Sequence, residues 1–134
     1  MGDARVSLIT RVFGRIAESE AERYLRQKGY RILERNARSA QGELDLIAQI
    51  GETLVFVEVK ARRTAAYGGA SHAVDTRKQA KLVKLAAQYL ARHNLRNQVC
   101  RFDVVLCTEG VTGRLHIEHV EHAFDVPGGT VWSG

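Results

Sequence analysis

The 134-residue sequence has only two cysteines, one proline and one tryptophan, and it contains no long hydrophobic run. Cys100 and Cys107 bracket one predicted strand at an odd spacing, so they point to opposite faces and no disulfide is expected between them. Residues 1–17 hold no continuous apolar segment of the signal-peptide kind, and no segment approaches membrane-spanning length. These absences predict a protein of a reducing compartment, the cytoplasm.

Motifs of several reaction classes are also missing. The sequence shows no internal repeat, no phosphate-binding glycine loop, and no serine or cysteine nucleophile motif. Three histidines, His116, His119 and His122, invite a zinc interpretation. In a strand, however, His116 and His119 face opposite ways, and no cysteine stands at ligand spacing, so zinc is not expected there.

Length and composition predict a single domain over residues 1–134, with loose ends at residues 1–12 and 126–134. Hydrophobic residues make up 45% and charged residues 26%, as is ordinary for a globular protein. The formal net charge of +5 and the sequence pI of about 9.6 favour polyanionic partners. A positive excess of this size equally serves solubility.

The most informative segment, residues 42–60, reads as two strands joined by a turn with Gly51 and Glu52 at its centre. Glycine at the first central position is typical of a type II′ turn, whose twist matches that of paired strands. Such a turn pairs Ile50 with Thr53 and so fixes the register of the whole hairpin.

That register predicts Asp45 opposite Glu58 and Glu43 opposite Lys60, and directly opposed side chains share one face. Alternation then places six residues on one side of the hairpin: Glu43, Asp45, Leu54, Phe56, Glu58 and Lys60. The second strand is apolar on both faces until its end, which is typical of a buried strand. Charges rarely enter such a position unless they are paired or bind a metal.

Two neighbouring carboxylates repel each other unless a cation lies between them. Mg²⁺ prefers oxygen ligands and commonly takes one or two carboxylates plus water. Lys60, on the same face as Glu58, could then orient a water or stabilise charge developing on a phosphate. The alternative is a strand end that emerges into solvent, with Glu43 and Lys60 as an ordinary cross-strand pair.

An acid on one strand followed by Glu-x-Lys at the end of the next resembles the PD-(D/E)xK nuclease signature. The segments GELDLIA and LVFVEVKAR more closely resemble the bacterial YraN family, which is related to the archaeal-type Holliday junction resolvases of that superfamily. The likeness extends from about Glu18 to Phe124 and includes RKQ at residues 77–79 and RFDVV at residues 101–105. No proline precedes Asp45, which is usual in the YraN-like group.

The resemblance implies an α/β restriction-endonuclease-like domain, with the order α-β-β-β-α-β-β and a mixed central sheet flanked by helices. It implies a deoxyribonuclease that depends on Mg²⁺ or Mn²⁺ and acts on branched or otherwise structured DNA. Asp45 and Glu58 would bind the metal, with the Val59 carbonyl as a further ligand, and Lys60 would position the attacking water. Glu18 matches the glutamate that resolvase-like nucleases carry on their first helix, and it would assist directly or through water. Junction-cutting relatives work as dimers, so a homodimer follows by analogy.

Hydrophobic periodicity predicts the same order of elements. The predicted elements are helices over residues 13–28 and 77–93 and strands over residues 30–36, the two arms of 42–60, 99–107 and 115–120. Asp75 or Thr76 can cap the second helix. From the pattern alone, Glu18 lies near the apolar stripe of the first helix and is an ordinary solvated glutamate. Asp103 shares a strand face with Arg101 and is interpreted as structural.

Five basic residues are candidates for contact with DNA phosphates: Arg62, Arg63, Arg77, Lys78 and Lys81. The first two lie in residues 61–74, where the pair Gly68-Gly69 predicts a mobile flap over the site or an ordinary crossover loop. Arg77, Lys81 and Lys84 recur at i, i+4 and i+7 and form one basic stripe. Such a stripe is either a solvated face or a phosphate contact.

Three hypotheses from different classes follow. The first is a metal-dependent DNA endonuclease, and the second is a non-catalytic nucleic-acid-binding module that retains the nuclease fold. The third is a small interaction protein stabilised by structural ion pairs. Intact Asp45, Glu58 and Lys60 argue against simple decay of the site.

Overall fold

A computed structural model describes residues 4–63, 73–95, 97–126 and 131–132 of the chain. These residues form two helices and a mixed sheet of α/β architecture. The elements are α1 (Ala4–Gln27), β1 (Arg31–Ser39), β2 (Gly42–Ile50), β3 (Thr53–Arg62), α2 (Thr76–Arg92), β4 (Gln98–Glu109), β5 (Leu115–Val120) and β6 (Val131–Trp132). The sheet order is β1-β2-β3-β4-β5, and β6 pairs with β4. The predicted order α-β-β-β-α-β-β is confirmed, with β6 as an addition.

The first three strands form an antiparallel meander that contains the predicted hairpin. Strands β2 and β3 pair from Ile50↔Thr53 to Leu46↔Val57, which is the register that the turn predicts. Of the two central residues of the turn only Gly51 has a positive φ, +57°, as a type II′ turn requires. The turn chemistry therefore fixes how the two arms of the hairpin meet.

Strand β4 lies parallel to β3 on the side away from β2, and α2 connects the two strands. In this pairing Glu58 is level with Val104, and Lys60 is level with Leu106. Both partners on β4 are buried apolar residues. The acidic end of β3 is therefore flanked by apolar side chains on its β4 side.

The sheet has one helix on each face, and each helix covers its own apolar cluster. Ala17, Ala21 and Leu25 of α1 pack on one face against Leu46, Ala48, Val55, Val57, Val105 and Cys107. Four buried residues of α2, Leu82, Leu85, Ala86 and Leu90, pack on the other face, which carries Leu54 and Phe56. Alternation along β3 puts Glu58 and Lys60 on this second face, under α2. No helix in the described residues is long and apolar enough to cross a membrane.

Secondary structure in the described residues extends beyond the predicted elements at both ends. Helix α1 begins at Ala4 rather than near residue 13, so most of the segment predicted as a loose arm is helical. Within α1, the apolar residue Ile16 is 48% exposed. Val126 is buried in the α2-side cluster, and β6 pairs with the start of β4. The predicted flap falls largely on residues 64–72, outside the described residues.

Asp103, 1% exposed, is held by a polar network on the α1 side. Arg101 donates to it at 2.9 Å, the His119 Nε2 lies 2.8 Å from its Oδ2, and the His122 N–H and the Tyr30 hydroxyl also donate. Burial favours the neutral acid, but the hydrogen bonds from His119 and Arg101 outweigh it and lower the pKa of Asp103. The structural interpretation of Asp103 is confirmed, and His119 belongs to this network.

Asp75 is the N-cap of α2, where its carboxylate accepts a hydrogen bond of 2.8 Å from the Lys78 backbone N–H. We expect Asp75→Ala to lower the free energy of unfolding by about 1 kcal/mol, because an N–H of the first turn loses its acceptor. Urea denaturation measures the loss. Asp75→Asn keeps the acceptor and should lose little, so equal losses in the two variants would contradict the capping role.

Candidate active site

Glu58 is the one carboxylate that β3 carries into the interior of the sheet. It is 6% exposed and follows Leu54 and Phe56 on the face covered by α2. Lys60, half-buried, comes two residues later on the same face. A buried carboxylate costs free energy unless something compensates its charge. The neighbours of Glu58 therefore decide what this position can do.

Asp45 reaches Glu58 because β2 and β3 separate at this point. Their ladder ends at Leu46↔Val57, and beyond it the Val59 N–H donates to the Asp45 Oδ2 at 2.9 Å. In a continued antiparallel ladder this N–H would bond to the carbonyl of Leu44. The Asp45 carboxylate replaces that ladder bond, so its side chain is anchored against the backbone of β3.

The two acids interact strongly. Burial, followed by the hydrogen bond with Glu58 and the negative charge of Glu58, raises the pKa of Asp45 to about 8. The Val59 N–H and the charge of Lys78 oppose this shift only in part. Without another cation, this raised pKa favours a protonated Asp45 at neutral pH. A pair of this kind favours any positive charge that enters between its oxygens.

Lys78, in the first turn of α2, supplies the cation nearest to Glu58. Its Nζ lies 3.2 Å from the Glu58 Oε2. This is ion-pair distance, but the contact lacks the geometry of a hydrogen bond. The Glu58 Oε2 is buried and has no hydrogen-bond partner in the described part of the chain. The carboxylate is thus partly neutralised yet keeps unused acceptor capacity.

Lys78 also belongs to a basic depression beside the acids, with a volume of about 440 Å³. The depression is lined by Lys60, Ala73, Asp75, Arg77, Lys78 and Lys81. Lys81 lies against the start of β2, where a Cβ on Gly42 (φ +150°) would be only 2.9 Å from the Lys81 Cε. A side chain at this position would move the flexible end of Lys81 and would also strain the backbone, because L residues rarely adopt this φ. Four positive side chains therefore line this depression, and one of them, Lys78, contacts Glu58.

The two other predicted DNA contacts, Arg62 and Arg63, do not line this depression. Arg63 lies 3.9 Å from a Glu109 oxygen, and its guanidinium stands 5.8 Å from the centre of the Phe13 ring. Arg62 is half-buried at the end of β3. Of the five predicted DNA contacts, only the three on α2 therefore line the depression.

Glu18 is half-buried on α1 and is electrostatically coupled to the site. Burial, followed by the charges of Asp45 and Glu43, raises its pKa, while Arg15 lowers it. In the described residues no three His, Cys, Asp or Glu side chains come together as a metal-binding group. The structure therefore unites Asp45 with Glu58, and the direct or water-mediated role of Glu18 stays a prediction.

Glu43 does not form the cross-strand pair with Lys60 that the alternative interpretation required. Its carboxylate accepts from the Arg38 Nε at 3.0 Å across β1 and β2. Sequence reasoning missed this pair, and it also missed the contact between Lys78 and Glu58. The only available signal was the like-charge crowding at residues 43–45, which gives no partner by itself.

The donor set at this site fits a hard divalent cation. Two carboxylates supply oxygen atoms, one of which is buried without a hydrogen-bond partner in the described residues. The proton that Asp45 retains marks a position where positive charge is favoured. Mg²⁺ and Mn²⁺ take such oxygen ligands and complete their coordination with water and substrate.

A distant likeness exists to the solved structure of Pyrococcus furiosus SfsA in complex with Ca²⁺. The TM-score is 0.39 at 16% sequence identity, covering 90% of this chain and 65% of that chain. A likeness this weak decides neither the fold nor the function.

Sequence relatives are much closer and span nearly the whole chain. A UPF0102 protein of Frankia casuarinae is 47% identical over 111 residues, which is 83% of this chain and 94% of the relative. A UPF0102 protein of Symbiobacterium thermophilum is 47% identical over 116 residues, 87% of this chain and 98% of the relative. The model of the uncharacterised protein family UPF0102 matches residues 17–107, a range that contains Glu18, Asp45, Glu58 and Lys60. The resemblance to the YraN family is thereby confirmed, and the chain belongs to the UPF0102 family.

Proposed function

We propose that this protein is a divalent-metal-dependent DNA endonuclease with its active site at the end of β3. One observation carries the proposal: the acid pair Asp45 and Glu58 lies beside a depression lined by four basic side chains. An acid pair attracts a divalent cation, and a basic depression attracts phosphates. Phosphodiester hydrolysis needs the two next to each other.

In this proposal the acidic residues bind the metal and the basic residues bind the substrate. Asp45 and Glu58 would hold Mg²⁺ or Mn²⁺ through their carboxylate oxygens, with the Val59 carbonyl as a further ligand and Glu18 assisting directly or through water. When bound, the cation supplies a Lewis acid for the charge that develops on the phosphate oxygens. Lys60 faces the same depression and positions the attacking water. Arg77 and Lys81 bind the flanking phosphates and orient the scissile bond.

Branched or otherwise structured DNA is the proposed substrate. This choice rests on the resemblance to junction-cutting resolvases. Those enzymes cut two strands symmetrically, which a homodimer achieves by presenting two equivalent sites. We extend the same arrangement to this chain as part of the proposal.

The test compares linear, flapped and four-way DNA with Mg²⁺ or Mn²⁺ and with EDTA. Cleavage that needs the cation and favours one branched form is the expected result. Absence of cleavage on every form, with either metal and at protein concentrations that saturate binding, would overturn the proposal.

A second candidate is the nucleic-acid-binding module that keeps the fold without cleaving. The contact between Lys78 and Glu58 favours it, because a side-chain cation already stands beside the carboxylate. In that case DNA binding should be the same with Mg²⁺ and with EDTA, and no form should be cut.

Both candidates predict DNA binding through the basic depression. We expect Arg77→Gln and Lys81→Gln each to lower the slope of log affinity against log salt by about one, because each removes one phosphate contact. Fluorescence anisotropy at several salt concentrations measures the slope. Lys84→Gln is the matched control, because Lys84 is exposed on α2 but does not line the depression. Equal slopes in all three variants and the wild type would show that the basic stripe is a solvated face that does not contact phosphates.

A further inference from the structure

We propose that Lys78 is an internal counter-ion that occupies the charge position of the metal, leaves Glu58 when a divalent cation binds, and then faces the substrate phosphates. This inference rests on the proposed metal site and adds a competition between a side chain and the cation. It makes the free protein resistant to metal at low concentration.

The geometry supports this role in two ways. The Lys78 ammonium lies 3.2 Å from a buried carboxylate oxygen that accepts no hydrogen bond within the described residues. The Lys78 side chain is 34% exposed, whereas that of Glu58 is 7% exposed. One end of the contact is therefore fixed in the sheet, and the other belongs to a flexible side chain with access to solvent. Such a contact is easily exchanged for a better cation.

The position of Lys78 on α2 determines which groups lie near its ammonium after it leaves Glu58. Its backbone is fixed by the Asp75 cap, so the side chain moves while the helix does not. Its neighbours in the depression are Arg77 and Lys81, and both are exposed. An ammonium displaced from Glu58 remains in this positive group, where a phosphate would compensate the repulsion.

Calorimetric titration with Mg²⁺ at about pH 9, where carboxyl protons compete least, tests the competition. We expect Lys78→Met to bind Mg²⁺ about tenfold more tightly than the wild type, because the cation no longer displaces an ammonium. Lys78→Arg keeps the charge and should restore wild-type affinity to within about threefold. Lys84→Met removes an equal charge away from the site and controls for the change in net charge.

A second measurement follows the ammonium itself. In a ¹H–¹⁵N spectrum of lysine side chains, the Lys78 signal, assigned from its loss in Lys78→Met, should shift when Mg²⁺ is added. It should shift again when four-way DNA with an uncleavable phosphorothioate backbone is added to the Mg²⁺-loaded protein. Lys84 provides the reference signal, which should move with DNA no more than other exposed lysines.

The outcomes separate this inference from the function on which it rests. Equal Mg²⁺ affinity in wild type, Lys78→Met and Lys84→Met, with an unmoved Lys78 signal, overturns the counter-ion and leaves the metal site intact. Absence of Mg²⁺ binding in wild type and Lys78→Met, although both are folded by circular dichroism, overturns the counter-ion and the proposed metal site together. Tighter binding in Lys78→Met alone supports both.

Discussion

Replacing Glu58 with alanine is expected to abolish metal-dependent DNA cleavage, lowering the rate by at least about a hundredfold. Glu58 is the buried member of the acid pair and the partner of both Asp45 and Lys78. Its removal takes away one oxygen donor for the cation and leaves Lys78 without its carboxylate. Single-turnover cleavage of labelled four-way DNA, with enzyme in excess, measures the loss at the chemical step.

Two control variants show whether a loss of cleavage is specific to the Glu58 carboxylate. Glu52→Ala changes an exposed acid in the turn of the same hairpin and should cleave like the wild type. Glu58→Gln keeps the shape of the side chain, so a matching loss in this variant separates lost chemistry from a disturbed core. Cleavage that persists in both Glu58 variants would point to a contaminating nuclease and would remove the support for this site.

The part of the site that the sequence predicts is the part that local chemistry determines. Gly51 sets the turn, the turn sets the pairing of Ile50 with Thr53, and this register places Asp45 and Glu58 directly beyond the last pair of the ladder, Leu46↔Val57. The long apolar run of β3 likewise predicts its burial between two helices. Each step depends on neighbours in the chain, so periodicity and turn type are sufficient.

Hydrophobic periodicity does not predict contacts between residues that are far apart in the sequence. Lys78 meets Glu58 only because α2 crosses back over β3. The apolar stripe of a helix shows which face is buried but not which strand that face covers. The separation of β2 from β3 at Asp45 is also invisible in the sequence, because a continued ladder would have the same alternation. Helix α1 starts at Ala4 although Leu8, Arg11 and Val12 are exposed, since helix propensity and length add to tertiary packing.

The acid pair also makes the free energy of unfolding of the metal-free protein fall as the pH rises. The pKa of Asp45 is about 8 in the folded protein, against an ordinary value of 3.8. Between these values the folded state holds a proton that the unfolded state has lost. The metal-free protein should therefore become less stable as pH rises from about 4 to about 8, and above that this contribution should level off. Functional sites are where such a local cost is expected, because the ligand removes it.

We expect Asp45→Asn to be more stable than the wild type without metal and less stable than the wild type with Mg²⁺. The amide oxygen can still accept from the Val59 N–H, and the amide NH₂ can donate to Glu58 as the protonated acid does. At about pH 8 without metal, we expect Asp45→Asn to exceed the wild type by about 2 kcal/mol in free energy of unfolding. Mg²⁺ at a hundred times its Kd should stabilise the wild type by about 2.7 kcal/mol and the variant by little. Urea denaturation at several pH values measures the free energy of unfolding of both proteins, each with Mg²⁺ and with EDTA.

Glu58→Gln should show the same loss of Mg²⁺ stabilisation, because it removes the other acid of the pair. It also relieves Asp45 of its like-charged neighbour, so the pH dependence below pH 8 should flatten. Glu52→Gln, in the exposed turn, should keep both the pH dependence and the response to Mg²⁺ of the wild type. If both site amides instead unfold well below the wild type in EDTA, Asp45 and Glu58 are structural ion-pair partners of Lys78. The mechanism built on a metal at this site would then be wrong, since acids that stabilise the free protein have no need of a cation.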